Sequence, residues 1–350
     1  MKVSVLIPSF NHAAYIEEAI QSVLSQTFAD FELLISDDCS KDGTQKVLQK
    51  YEKEPRVRIF YQEHHIGAVE QIHFLIEQAS GTYIALLNSD DYWRADKLEK
   101  QVEYLEGHPE TGACFTQAVF VDEFDNHLSK SDFELSEIFI QPNRTRAQWI
   151  NYFFYRGNCL CHPSVLARTG IYQGVCRLNP GLRQLPDYDL WTRYVPVHEI
   201  FVLQEPLTFY RKIGTENTSA WVSENEGMLL REQAWIRKNM ITTLNAHLFI
   251  ESFREDLRKE APSGAEILCE KFFLLEKLGR KDRFMRGQAI EFFLEQWQNS
   301  AFLDALTKKY AYRDTDFFAY ARMESEITAN YCPRKVKNAI FQIAKRILKG

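Results

Sequence analysis

The residues best able to do chemistry in this chain are acids placed where the chain changes direction. Asp90 and Asp91 follow the aliphatic run Tyr83–Leu87 and precede Tyr92-Trp93. Two neighbouring carboxylates repel one another unless a cation shares their site. A hard divalent ion, Mn2+ or Mg2+, with diphosphate oxygens completing its shell would relieve that repulsion. The same pair also suits a strand-end turn and helix N-cap. Asp37-Asp38 closes a second aliphatic run, ahead of Gly43, where turn chemistry alone also favours Asp. In LPDYDLW, Asp187 is placed to cap the helix containing Leu190 and Trp191, and Asp189 reads as structural.

The elements around these acids follow from periodicity. Val3–Ile7, Phe31–Ile35, Val57–Tyr61 and Tyr83–Leu87 read as buried strands. Tyr15–Leu24, Thr44–Lys53, Gly67–Ala79 and Arg94–Glu106 read as helices between or after them. Strands alternating with helices of this length predict a parallel sheet with helices on its faces. Ligands of such sheets bind beyond the carboxyl ends of the strands. Those ends carry Ser9-Phe10-Asn11, Asp37-Asp38 and Asn88-Ser89-Asp90-Asp91, so the polar clusters converge on one edge. From Gly112 the rhythm changes to strands and long loops, and beyond about Glu224 it is helical nearly to the end.

Composition narrows the class. The 350 residues carry a net charge of −6, and the last 18, from Pro333 to Gly350, hold six Lys or Arg and no acid. The remainder is therefore at −12, which excludes a broad phosphate-reading surface for nucleic acid. The seven cysteines are scattered and read as reduced thiols. The first residues contain too short an apolar run for a signal peptide, and no run spans a membrane. The tail places Val336, Ile340, Ile343, Ala344 and Ile347 on one helical face. Such a basic amphipathic helix suits an anionic membrane surface, and it equally suits docking on the body or a coiled dimer contact.

Three segments occur in order: VSVLIPSFNHAAYIEEAIQSVLSQTFADFELLISDDCSKDGT, GTYIALLNSDDYW and LPDYDLW. Together they resemble the family 2 glycosyltransferases of the GT-A fold, over about residues 1–215 and most specifically in the first 100. The resemblance implies an α/β fold, a Rossmann-like mixed sheet flanked by helices, with a C-terminal helical region. It implies a nucleotide site of Pro8, Phe10, Asp37, Asp38, Asn88, Ser89 and Asp90. In it the Phe10 ring covers the base by stacking. Asp38 accepts the uracil N–H, and Asp37 is able to exchange roles with it. Asp90 matches the last acid of the DxD motif, which holds Mn2+ or Mg2+ against the diphosphate. Asp187 matches the catalytic base. The chain departs from the family at Asn88, the first DxD position, and at Pro186, where Glu is usual. It also lacks the Arg expected in Gln71-Ile72-His73 and has Ile213 where a YRxH segment supplies His. Arg211 remains as a phosphate contact, and Asp91 and His162 are expected to line the cleft.

The expectation is an inverting glycosyltransferase. It would move a hexosyl or N-acetylhexosaminyl group from a nucleotide-sugar, a UDP-sugar first, to a saccharide or lipid-linked acceptor in surface polysaccharide or glycan synthesis. Residues 1–220 would form the catalytic domain (1–110 nucleotide-binding, 111–220 acceptor-binding), 221–332 a helical accessory region and 333–350 the tail. The place of work would be the cytoplasm, at the inner face of the membrane. The QxxRW motif of processive synthases is missing. The alternative is an inactive sugar-nucleotide-binding or scaffold protein. A nucleotidyltransferase would want a Gly- and basic-rich first loop, which SFNHAAY does not provide.

Overall fold

Four aliphatic runs become the parallel strands β1 (Val3–Ser9), β2 (Phe31–Asp37), β3 (Val57–Tyr61) and β4 (Tyr83–Leu86). The computed structural model describes residues 1–172, 177–213 and 223–323. β1 and β2 run two residues past their aliphatic stretches, and Ser9 pairs with Asp37 as the last rung. The polar residues that end these strands are thus fixed by the ladder rather than hung on loops.

The helices α1 (Ile16–Leu24), α2 (Thr44–Leu48) and α3 (Ala68–Gln78) make the crossovers. α1 turns Ile16, Ala19, Ile20 and Val23 onto the sheet, each fully buried. Burying one such aliphatic side chain contributes about 1.5–3 kcal/mol, so the stripe alone anchors the helix. After the Asp pair come the short strand β5 (Tyr92–Trp93) and helix α4 (Lys97–Gly107).

The sheet continues with β6 (Thr111–Val121), β7 (Leu166–Arg168) and β8 (Glu199–Arg211). Its order is β3-β2-β1-β4-β7-β6-β8-β5. β7 is antiparallel to β4 and β6, and β5 is antiparallel to β8, so the sheet is mixed. This stretch reads as strands and long loops, yet it also holds α5 (Arg146–Arg156), besides the expected helix around Leu190 and Trp191, α6 (Pro186–Tyr194). α5 begins with a capping box in which Thr145 and Gln148 satisfy one another's backbone N–H. Its aromatic run, WINYFFYR, hides the helical period, and the T-x-x-Q spacing was the available signal.

The chain divides into two compact units, the first ending at Asn225 and the second beginning at Glu226. α7 (Ser223–Thr243) crosses that point, and α8 (Ala246–Phe253), α9 (Ala265–Gly279), α10 (Arg283–Gln296), α11 (Ser300–Tyr310) and α12 (Asp314–Arg322) follow. Much of the phenylalanine content is spent in the second unit's core, where Phe272 meets Phe293 and Phe302, and Phe293 stacks on Phe317 at 3.8 Å. No helix among the described residues is long and apolar enough to cross a membrane. The five described cysteines, 39, 114, 159, 161 and 269, are free thiols. Cys176, Cys332 and the tail 333–350 lie outside the described residues.

Candidate active site

At the carboxyl ends of β1 and β2 the chain turns through two left-handed residues, Asn11 (φ 54°) and Cys39 (φ 62°). Non-glycine residues hold such conformations only where the surroundings fix them. Here Asn11 N–H donates to Ser40 Oγ at 2.8 Å, and Asn11 Oδ1 accepts from Lys41 N–H at 2.8 Å. The turn leaves Phe10 43% exposed, an aromatic ring offered to solvent at the sheet edge. Pro8 sits just behind it, level with Ser36 of β2.

Asp37 and Asp38 are both fully buried, but they do different jobs. Asp38 accepts the N–H of Ile66 (2.7 Å) and of Gly67 (2.8 Å), which closes the loop ahead of α3. His65 Nδ1 also lies 2.8 Å from Asp38 Oδ2, while the His65 ring rests against Phe10 with centroids 4.7 Å apart. Asp38 and Phe10 therefore flank one spot. Asp37 faces the α2 side, where its Oδ2 accepts from Ser40 N–H and Gln45 Nε2, and its Oδ1 has no hydrogen-bond partner.

The Asp90 group is built from several strands. Asp91 is spent internally, with Oδ1 accepting the Arg211 N–H and Oδ2 accepting Asn88 Nδ2, each at 2.8 Å. Burial, and then the neighbouring Asp90, pushes the Asp91 carboxyl well above the usual carboxylate range. Burial raises Asp90 as well, offset by His12 and Arg211. The Asp90 carboxylate bonds to its own backbone N–H and to no other described side chain. Ser89 Oγ holds His12 Nδ1 at 2.7 Å, so His12 is a neighbour of this acid that the sequence did not single out. Among the described residues no three His, Cys, Asp or Glu side chains group as a metal cage. The donor set fits a hard cation in a different way, through one uncommitted carboxylate oxygen donor beside oxygens that a diphosphate would bring.

Arg211, expected as a phosphate contact in the cleft, is instead 1% exposed. Its Nε donates to the Asp90 carbonyl and its Nη1 to the Asp122 carbonyl, and it forms ion pairs with Glu18 and Asp125. The reason is topological: β8 carries it under the Asp90 turn, where it fixes the backbone of the acid pair. A different arginine reaches the face of α3 that lacks one in sequence. Arg177 donates from Nε and Nη2 to His73 Nδ1 at 3.0 and 2.9 Å. On the same helix Gln71 Oε1 accepts the Ser9 N–H at 3.2 Å.

Asp187 is not the N-cap residue, though its carboxylate accepts the first-turn N–H groups of Tyr188 and of Asp187 itself. α6 starts at Pro186 with Leu185 as its N-cap, so Asp187 lies inside the first turn. Proline at the start of a helix costs no hydrogen bond. Asn158 Nδ2 donates to Asp187 Oδ2 at 2.8 Å, and Asn158 Oδ1 accepts the Leu160 N–H at 3.1 Å. Burial raises the Asp187 carboxyl from 3.8 to about 6, against hydrogen bonds that lower it. Asp189, read as structural, makes a two-pronged bond with Arg193 at 3.0 and 2.8 Å. His162 is held neutral, its value lowered by burial to about 4, with Nε2 3.5 Å from the Tyr172 hydroxyl and its ring edge-on to Trp191.

Cys161 is 2% exposed, and its thiol is pushed far up by burial and then by the charges of Asp91 and Asp187.

Residues 4–170 match the sequence model described as Glycosyl transferase family 2. The chain is 31% identical over 171 residues to the UDP-Glc:alpha-D-GlcNAc-diphosphoundecaprenol beta-1,3-glucosyltransferase WfaP of Escherichia coli, a match spanning 48% of this chain and 62% of that one. It is 41% identical over 104 residues to WfgD, which carries the same activity name in Escherichia coli, spanning 29% of this chain and 40% of that one. The chain thus spans less than two thirds of the length of these curated relatives. Among solved structures it is similar to S. aureus TarS 1–349 in complex with UDP-GlcNAc, with a TM-score of 0.61 at 19% identity, covering 86% of this chain and 92% of that one. The mixed sheet and its polar carboxyl edge agree with these matches, and residues 4–170 carry the sequence model of glycosyl transferase family 2.

Proposed function

We propose that this protein transfers a sugar, with inversion at the anomeric carbon, from a UDP-sugar to a saccharide or lipid-linked acceptor in surface glycan synthesis. The observation that carries the reading is the polar carboxyl edge of the sheet, where Phe10 and Asp38 flank the spot held by His65 and the Asp90 carboxylate bonds only to its own backbone N–H. Such an edge suits a base and a diphosphate, and the Asp187 carboxyl, raised by burial, suits an acceptor hydroxyl.

The uridine ring lies on Phe10 and gives its N–H to Asp38, displacing His65, which already makes one contact of each kind. Asp90 would hold Mn2+ or Mg2+ against the diphosphate. A cation there stabilises the negative charge on the departing nucleoside diphosphate. Asp187 takes the proton from the acceptor hydroxyl as it attacks C1. A carboxyl near 6 is ionised at pH 7 yet more basic than an ordinary Asp, which suits that task. Asn158 engages Asp187 Oδ2, and the first-turn N–H groups of Asp187 and Tyr188 also bond the carboxylate, which holds it in place for the acceptor. The relatives WfaP and WfgD are named for UDP-glucose and a lipid diphosphate acceptor, which supports the donor class and the place of work beside a membrane. The basic tail would supply that contact.

A second reading, binding without turnover, has one observation in its favour: Asn88 brings no charge to the motif and spends its amide on Asp91. Calorimetry with nucleoside diphosphates, with and without Mn2+, tests the first reading. UDP should bind best, with affinity raised by the metal. Equal binding of all nucleotides, unaffected by EDTA, would contradict it.

A further inference from the structure

Lys97, the first residue of α4, is fully buried, which is costly for an ammonium group. No carboxylate pairs with it among the described residues. Its Nζ stands 3.8 Å from the centre of the Trp93 ring and donates to Gln101 Oε1 at 2.7 Å. That bond settles which way the Gln101 amide faces. Its nitrogen then donates to the Cys114 carbonyl at 2.6 Å and the Ser164 carbonyl at 3.0 Å. Trp93, next but one to Asp91, donates from Nε1 to the Pro163 carbonyl at 2.9 Å.

The clamped segment leads to the site. Ser164 Oγ donates to the Cys161 carbonyl at 2.7 Å, Leu160 N–H orients Asn158, and Asn158 holds Asp187. With the amide free to rotate, nothing described replaces the bond to Ser164. The cation over the indole ring is itself a favourable contact in a dry setting.

We infer that Lys97 is a positioning residue for Asp187: it fixes the Gln101 amide, which together with Trp93 clamps the 158–164 segment that presents Asn158 to the base. This rests on the assignment of Asp187 given above. Burial lowers the Lys97 ammonium to about 7, so the group is an adaptable donor rather than a permanent charge. A donor is all the clamp needs.

Lys97→Met keeps the length and removes the donor. Turnover should fall by on the order of 10²-fold, the usual effect of misplacing a reacting group by about 1 Å. UDP affinity should stay within about twofold, because Phe10 and Asp38 stand on other strands, and the melting temperature should hold or rise once a buried charge is gone. Labelling of Cys161 by a thiol reagent, followed by peptide mass spectrometry, should speed up by about tenfold as the segment opens locally. Trp93→Phe keeps the ring but breaks the bond to Pro163, and it should show the same two effects more weakly. If Lys97→Met fails to fold, this milder variant decides. Wild-type turnover with unchanged labelling would overturn the inference. So would a loss of turnover matched by lost UDP binding and a lower melting temperature. Labelling needs neither donor nor acceptor, so it judges the clamp even if Asp187 is not the base. Asp187→Asn judges the base even if the clamp is wrong.

Discussion

Asn158 donates its side-chain N–H to Asp187 Oδ2 at 2.8 Å, across 29 residues of sequence. The bond favours the ionised carboxylate, opposing the burial that raises it. Asn158→Ala removes that support, so the carboxyl should move further up from about 6. The acid limb of the kcat–pH profile should shift upward by about one pH unit, since a hydrogen bond to a charged group is worth roughly 1.5–3 kcal/mol. An unchanged limb would separate Asn158 from the base.

Phe10 and His65 should respond in opposite directions. Phe10→Ala removes the stacking surface and should weaken UDP binding by about 1–3 kcal/mol. His65→Ala empties the spot between Phe10 and Asp38 and should leave UDP binding equal or tighter. Titration of both variants by calorimetry reads this. Weaker binding in His65→Ala would make His65 a base contact rather than an occupant that leaves.

Asp90→Ala should remove most of the Mn2+ dependence of UDP binding and abolish turnover. A variant that keeps a metal-dependent affinity would move the cation elsewhere. Asp91→Ala should behave differently, because Asp91 is committed to Arg211 N–H and Asn88. It leaves Arg211 and Asn88 short of a buried partner and should lower the melting temperature as well as activity.

The strands and their polar ends were legible because parallel strands are buried on both faces, so they read as aliphatic runs that stop where the site begins. Asp90 and Asp187 stood out by type and place. Asn158, His12 and His65 did not, since each matters through a partner brought near only by the fold: Asp187, Ser89 and Asp38. Lys97 opens the segment KLEK, which reads as a solvated helix face, and only tertiary packing buries it. Arg211 shows the converse error. Its charge suggested phosphate, but β8 delivers it beneath the acid pair, where the Asp90 carbonyl and the Glu18 and Asp125 carboxylates engage it. Helix α6 starts at Pro186, so Asp187 lies inside its first turn rather than at the N-cap, where its carboxylate still accepts first-turn N–H groups.

Stability offers a separate check on the Asp187 environment. A carboxyl raised from 3.8 to about 6 binds its proton more tightly in the folded state. Its contribution to stability is therefore largest at low pH and is lost as pH rises through this window. At pH 7 the full cost is present, and Asp187→Asn removes it. The variant should melt higher than wild type at pH 7, by roughly 2–4 °C for each kcal/mol relieved, and no higher at a pH below the window. A lower melting temperature at pH 7 would show that the carboxylate stabilises the fold.

Inversion at the anomeric carbon with Asp187 as the base is open to one direct measurement. Water can replace the unknown acceptor, so slow hydrolysis of a UDP-α-sugar in the presence of Mn2+, followed at once by proton NMR, reads the stereochemistry directly. The β-anomer should appear first and drift toward equilibrium. Asp187→Asn should slow its release by about 10²–10⁴-fold, the range for loss of acid–base assistance, while UDP binds as before. Release of the α-anomer first, or undiminished release from Asp187→Asn, would contradict inversion with Asp187 as the base.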